Sequence, residues 1–249
     1  MILFAIPALA IALLADPDAT ILDAAGMPTR ICNFGGWGQF WVGAATALTA
    51  DGKPDRTQFD NGGIDGVEWI LKQPEIDGCA EFGSVILDGV AHDHERETLD
   101  DVAETATSIL EGIVDGVAPG FYAGIPGQLY RVRPRRVLKG ELDRDTYYFF
   151  LPMGRIPLGS MTVCETEPKY PVAPVRGLRV LLMTDSWAGP DKEFLVVEQP
   201  EDIVIEKGDS SAAIAAALVR RQPEVANVSF DQFVADIQDR LDVIAARSN

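Results

Sequence analysis

Residues 107–207 hold a run of short apolar segments at close spacing, each bounded by Gly, Pro or charged turn residues, and no helical pattern separates them. Parallel strands need crossovers of a dozen or more residues, usually helices, so an all-β barrel or sandwich is predicted over a parallel α/β sheet. Strands are expected at 108–117, 128–138, 145–151, 177–183, 193–198 and 202–206. Gly116, Pro119, Gly120, Gly124, Pro126 and Gly127 read as a long loop or wide hairpin. Within 128–138, Leu129, Val132 and Val137 interleave with Arg131, Arg133, Arg135 and Arg136, and Pro134 marks an edge or a bulge. Tyr147, Tyr148, Phe149 and Phe150 are consecutive, so they cannot all point into one core, and one pair must face a helix or a partner surface. The stretch from Pro152 to Pro174 reads as a Pro-rich loop.

A different periodicity closes the chain. Phe230, Phe233, Val234, Ile237, Leu241 and Ile244 recur in steps of three and four, which predicts an amphipathic helix over about 230–246, capped by Ser229 with Gln232. Thr98 is placed to cap a short helix through Ala106, with Asp100 and Asp101 at its positive end. Residues 211–221 suggest a further short helix ending before Pro223. The fold class expected is mainly β with α: an OB-like five-stranded barrel packed with the C-terminal amphipathic helix. Residues 16–104, rich in Gly and Asp, form a segment of open fold in which 67–71 reads as a short strand or helical turn and 60–63 as a turn. Residues 105–249 form the barrel and its helix.

Residues 1–15 carry no charge and are almost wholly apolar. That length suits a signal peptide better than a bilayer span, which needs about 20 residues. A periplasmic or extracellular location follows as an expectation, with no integral membrane segment once the signal is removed. The formal charge of -17 repels phosphate backbones, so nucleic acid is not an expected partner. Export favours disulfides. Cys32, Cys79 and Cys164 allow three single-bridge pairings, and Cys32 with Cys79 is the pairing expected because both precede the barrel.

The order Ser108-Ile109-Leu110-Glu111-Gly112-Ile113-Val114, then Leu129-Tyr130-Arg131-Val132 leading to Val137-Leu138-Lys139-Gly140, then Gly177-Leu178-Arg179-Val180-Leu181-Leu182, resembles the netrin-like module. That module is an OB-type barrel of tissue inhibitors of metalloproteinases and of uncharacterised secreted bacterial proteins. In the latter, a segment like 229–241 often follows. The resemblance covers about 100 residues and implies architecture and an extracytoplasmic setting. The Cys-x-Cys start of the inhibitors has no counterpart here, so their metal-coordinating wedge is not carried over.

Chemistry-bearing residues are sparse. His92 and His94 are the two histidines of the chain, and on a strand they share a face, where both could bind one metal with Asp93, Glu95 or Glu97 as oxygen donors. An exposed polar loop is the simpler reading. The run Thr49-Ala50-Asp51-Gly52-Lys53-Pro54-Asp55 has a calcium-loop flavour, but Thr49 replaces the first acid and Lys53 brings a positive charge, so it reads as a β-turn. No nucleophile elbow or phosphate-binding Gly loop is present, and Cys164 is a nucleophile candidate only if unpaired. Arg131, Arg133 and Arg135 form the one basic stripe in an acidic chain and can bind an acidic ligand or neutralise the protein's own acids. The reading that follows is a non-enzymatic binding protein with no cofactor, whose partner is an unidentified protein or acidic ligand. The alternatives are a metal-dependent hydrolase using His92 and His94, and an inhibitor of secreted proteases.

Overall fold

The computed structural model describes residues 21–22, 25–31, 41–59, 61–76, 78–82, 98–122, 124–165, 170, 172–184, 186–188, 194–197 and 199–247. The expected signal segment, Cys32, His92 and His94 lie outside these residues. The main sheet has eleven strands: β1 (Ile21–Leu22), β2 (Pro28–Ile31), β3 (Trp41–Gly43), β6 (Ser108–Tyr122), β7 (Ile125–Lys139), β8 (Tyr147–Leu151), β11 (Arg179–Thr184), β12 (Ser186–Ala188), β13 (Phe194–Val196), β14 (Ile203–Glu206) and β15 (Ala212–Ala213). A smaller sheet runs β4 (Glu75–Ile76), β5 (Cys79–Phe82), β10 (Met161–Glu165), β9 (Arg155–Leu158). Among the described residues four α-helices accompany them: α1 (Asn61–Ile70), α2 (Leu99–Thr105), α3 (Ala216–Arg221) and α4 (Phe230–Arg247). The expectation of a mainly β fold with a C-terminal amphipathic helix is therefore met. Among the described residues the ladders do not close into a ring.

The stretch expected to be a long loop or wide hairpin is a hairpin whose two long strands form the centre of the sheet. β6 and β7 are fifteen residues each and pair from Ile109↔Lys139 to Tyr122↔Ile125. Three prolines survive inside them because each sits where the strand has a ladder on one side only. Pro119 falls between the β11 ladder, which ends at Ile113, and the β3 ladder, which begins at Gly120. Pro126 and Pro134 flank the β8 ladder, which covers Gln128 to Val132. A missing N–H costs nothing at an unpaired edge. Gly120 and Gly127 face each other across the hairpin. A Cβ on Gly120 would stand 2.5 Å from Trp41 Cζ2, and one on Gly127 would overlap the Phe150 ring. The glycines thus mark a seat for two aromatics, not a turn, and Trp41 and Phe150 meet there with ring centroids 5.9 Å apart.

Three apolar cores lie against this hairpin. Tyr148 and Phe150 join Trp41, Phe121, Leu129 and α1 in one, while Tyr147 and Phe149 join Leu110, Val132, Leu182, Leu195 and Ile203 in another. The four consecutive aromatics are all buried because both faces of β8 are covered. The third core holds Ile109, Leu181 and Met183 under α2 and the Phe230, Phe233, Val234, Ile237 and Leu241 stripe of α4. The caps are as the sequence predicts: Thr98 Oγ1 accepts from Asp101 N at 3.1 Å and Ser229 Oγ accepts from Gln232 N at 3.1 Å.

Residues 61–70 form a helix where a turn followed by a short strand or helical turn was expected. Ile64, Val67 and Ile70 bury one face, and that packing overrides the poor propensity of the glycines. A Cβ on Gly66 would stand 3.2 Å from Gly124 O, so a bare helix backbone lets the hairpin tip approach. The loop expected before Pro174 contains the β9–β10 pair, whose Pro157 lies on an edge strand.

The disulfide joins Cys79 to Cys164, correcting the expected pairing of Cys32 with Cys79. β5 lies parallel to β10 with Ala80 opposite Val163, which brings the two Cα atoms within 5.6 Å. Partners 85 residues apart are invisible to spacing arguments. A non-reducing peptide map is expected to recover this pair, and replacing both cysteines with serine is expected to lower stability by about 2–4 kcal/mol in urea denaturation. Gly120→Val is expected to cost about 1–3 kcal/mol by overpacking beneath Trp41, and Phe233→Ala about 3–5 kcal/mol by opening a cavity under α4, both measurable by the same titration.

Candidate functional site

Strand bulges decide where the basic stripe points. Going along the β6–β7 ladder, Arg136 opposes Glu111 but Pro134 opposes Gly112, so Arg135 is an extra residue on β7. Val132 opposes Val114 but Arg131 opposes Gly116, so Asp115 is an extra residue on β6. Bulges break strict alternation and re-aim side chains. As a result Arg135 and Arg136 both reach Glu111, at 3.8 and 3.1 Å, and Arg131 and Arg133 both reach Asp115, at 2.6 and 3.0 Å.

The arginines differ in what they have left to give. Arg131 also donates to the carbonyls of Ala25 at 3.2 Å and Gly26 at 3.0 Å, which ties the N-terminal strands to β7. Arg133, Arg135 and Arg136 keep 62%, 51% and 49% of their side-chain surface in solvent. These last three can engage a ligand without unfolding anything. Lys139 is spent on the carbonyls of Ala103 and Glu104, both at 2.9 Å, at the negative end of α2.

Behind the stripe lies a residue that the strand pattern did not single out. Arg179 on β11 donates from Nε to Glu111 at 3.1 Å and from its terminal nitrogens to Glu206 at 3.4 Å and Asp231 at 2.5 Å. Its guanidinium carbon stands 4.6 Å from the centroid of the Phe230 ring. Glu111 is buried, so its charge is tolerated only because three guanidinium groups surround it. Burial would weaken the hold of Arg179 on its proton, but Asp231, Glu111 and Glu206 outweigh it and the guanidinium is held more firmly than usual. In return Arg179, through its hydrogen bond and charge, holds the Asp231 carboxyl below its ordinary value of 3.8, with Arg135 and Arg136 adding to the effect. The signal for this network was present in the chain: Glu111 and Asp115 are two acids in an otherwise apolar strand next to an arginine-rich one.

The remaining candidates separate. In the 49–55 run, Gly52 takes a positive φ of 78°, Thr49 Oγ1 donates to Asp51 at 2.6 Å, and Lys53 pairs with Asp51 at 2.8 Å. Asp55 accepts from the Thr57 amide and hydroxyl at 2.9 and 2.7 Å. Both carboxylates are held below the ordinary range by these partners, Asp51 chiefly by Lys53 and Asp55 chiefly by the Thr57 hydroxyl, so the loop is a self-satisfied turn. The Cys164 sulfur is in the disulfide and is no nucleophile. Among the described residues no group of three or more His, Cys, Asp or Glu is arranged to hold a metal, and no helix is long and apolar enough to cross a membrane. No family model, curated protein or solved structure matches this chain.

Two outcomes follow from this geometry. Glu111→Gln removes the charge that Arg136 and Arg179 share and is expected to lower stability by about 1–3 kcal/mol in urea denaturation. A depressed folded-state pKa means that the Asp231 contribution is present above the ordinary carboxylate value and fades as pH falls through the depressed one. In an NMR titration of the side-chain carboxyl, Asp231 is expected to titrate below 3.8 and to return towards that value in Arg179→Ala.

Proposed function

We propose that this is a secreted or periplasmic, non-enzymatic binding protein, built on an OB-like barrel of the netrin-like kind, that takes an acidic protein or ligand on Arg133, Arg135 and Arg136. Support for the barrel comes from the strand path. β8, β7, β6, β11 and β14 follow one another by antiparallel pairing, a three-stranded meander whose first strand, β6, also takes β11 on its other edge. β13 lies parallel to β8, and β14 follows it after a 3-10 turn at Pro200–Asp202. β13 thus borders one end of that path and β14 forms the other, and Leu195, Val197, Ile203 and Ile205 share one core.

The observation that carries the binding reading is the exposure of three anchored guanidinium groups. Each is held from beneath by Glu111 or Asp115, so its direction is set before any partner arrives and less side-chain freedom is lost on binding. Guanidinium forks match carboxylates in shape and charge. In a chain of net charge -17 such a face also orients an approaching acidic partner, which is repelled elsewhere.

Hexaglutamate is a simple probe. It is expected to bind at low ionic strength, to weaken as salt is added, and to lose about tenfold or more in affinity with the Arg133→Ala, Arg135→Ala, Arg136→Ala triple variant. Equal affinity of the variant and the parent, measured by isothermal titration calorimetry, would remove the stripe from consideration.

A further inference from the structure

We propose that Arg179 is a carboxylate subsite of the same face and that Asp231 is its resident occupant, displaced when an acidic ligand binds. The proposal rests on the acidic-partner reading above and assigns a residue and an exchange that the stripe alone does not contain.

Arg179 holds three carboxylates of different kinds. Glu111 is buried and shared with Arg135 and Arg136, and Glu206 is largely buried, with 17% of its side chain exposed. Asp231 has 80% of its side chain in solvent, while Arg179 itself has only 16%. Of the three, only Asp231 can leave without stranding a charge in the interior, because water receives it at once. Its departure opens the solvent side of the terminal guanidinium nitrogen, which Glu111 also holds at 3.0 Å from within.

What remains in place is a prepared seat. The Phe230 ring lies against the Arg179 guanidinium, and Glu111 and Glu206 hold its other nitrogens, so the group does not need to be ordered by the ligand. Asp231 and Phe230 are the first two residues of the eighteen-residue helix α4, so an anion at this position also meets the positive end of a long helix. Arg135 and Arg136 act on the same point, since their charges add to the stabilisation of the Asp231 carboxylate. The seat already holds a carboxylate of this chain, which identifies the ligand group as a carboxylate. One acidic side chain of the ligand takes the position of Asp231 on Arg179 while its neighbours lie along Arg135, Arg136 and Arg133. No covalent chemistry is involved.

The exchange makes Asp231 a competitor of the ligand, and removal of its charge must then favour binding. Hexaglutamate affinity is compared between the full-length parent, Asp231→Asn and Asp239→Asn by isothermal titration calorimetry. Asp239→Asn makes the same change in net charge farther along α4. Asp231→Asn is expected to tighten binding by about threefold or more, with Asp239→Asn close to the parent and the difference shrinking as salt is raised. Binding by Asp231→Asn where the parent shows none supports the proposal more strongly still. Parent-like or weaker binding by Asp231→Asn, or equal gains in both variants, overturns the displacement while leaving the arginine stripe intact if the triple alanine variant still loses affinity. Absence of binding in the parent and in Asp231→Asn alike sinks both readings. Asp231 is solvent-exposed, so its replacement leaves the packed helix face untouched.

Discussion

The main sheet is organised around one hairpin that is too long for any single partner. β6 and β7 each run fifteen residues, and β6 gives its first half to β11 and its last residues to β3. The three cores are therefore not independent: Ile109 faces the helices, Leu110 and Val114 face the core of Tyr130 and Phe149, and Phe121 faces the N-terminal strands and α1. A change that shifts the pairing of the hairpin by one residue would turn each of these side chains to the wrong face. The Gly120 and Gly127 pair under Trp41 and Phe150 holds one end of that register, because no other pair of positions could let the two rings descend onto the backbone. The bulges at Asp115, Arg135 and Leu138 adjust the other end.

Those bulges are what turns a structural strand into a surface with directed charge. In a regular ladder Arg135 and Arg136 would point to opposite faces, and one of them would have to enter a core or be left outside without an acid. The extra residue turns both towards Glu111, and the extra Asp115 does the corresponding service for Arg131 and Arg133. The backbone irregularity, the buried carboxylate and the exposed cations are thus one feature. A buried acid such as Glu111 contributes little net stability over an apolar residue, yet it fixes where the guanidinium groups stand.

The sequence disclosed those parts whose cause is local. The α4 stripe, the Thr98 and Ser229 caps and most strand positions follow from periodicity and capping chemistry within a few residues. What escaped depends on contacts between distant segments. Gly116 to Gly127 read as a long loop or wide hairpin because its glycines and prolines are turn formers in isolation, and only the arrival of Trp41 and Phe150 explains Gly120 and Gly127. The Cys79–Cys164 bridge and helix α1 were hidden for the same reason, since β10 and the hairpin tip supply their neighbours. The arginine stripe was legible as a pattern, but Arg179 was not, because a single arginine on a buried strand gains meaning only beside Glu111, Glu206 and Asp231.

The charge of the chain gives this arrangement its logic. With 38 acids against 21 lysines and arginines, a cationic face must be insulated from the protein's own carboxylates or it will be neutralised by them. Here the acids beneath the stripe are spent in fixed positions: Glu111 is divided among three arginines and Asp115 between two, so neither can fold up over the surface to cancel it. The one acid in the network that stands largely in solvent is Asp231, at the mouth of Arg179. In the proposed reading an acidic ligand is repelled by the net charge of -17 and is drawn to the exposed Arg133, Arg135 and Arg136, beside which Asp231 stands in solvent on Arg179. Selectivity of the proposed kind comes from the contrast between a repulsive surround and the seat at Arg179, and it does not require that seat to bind tightly.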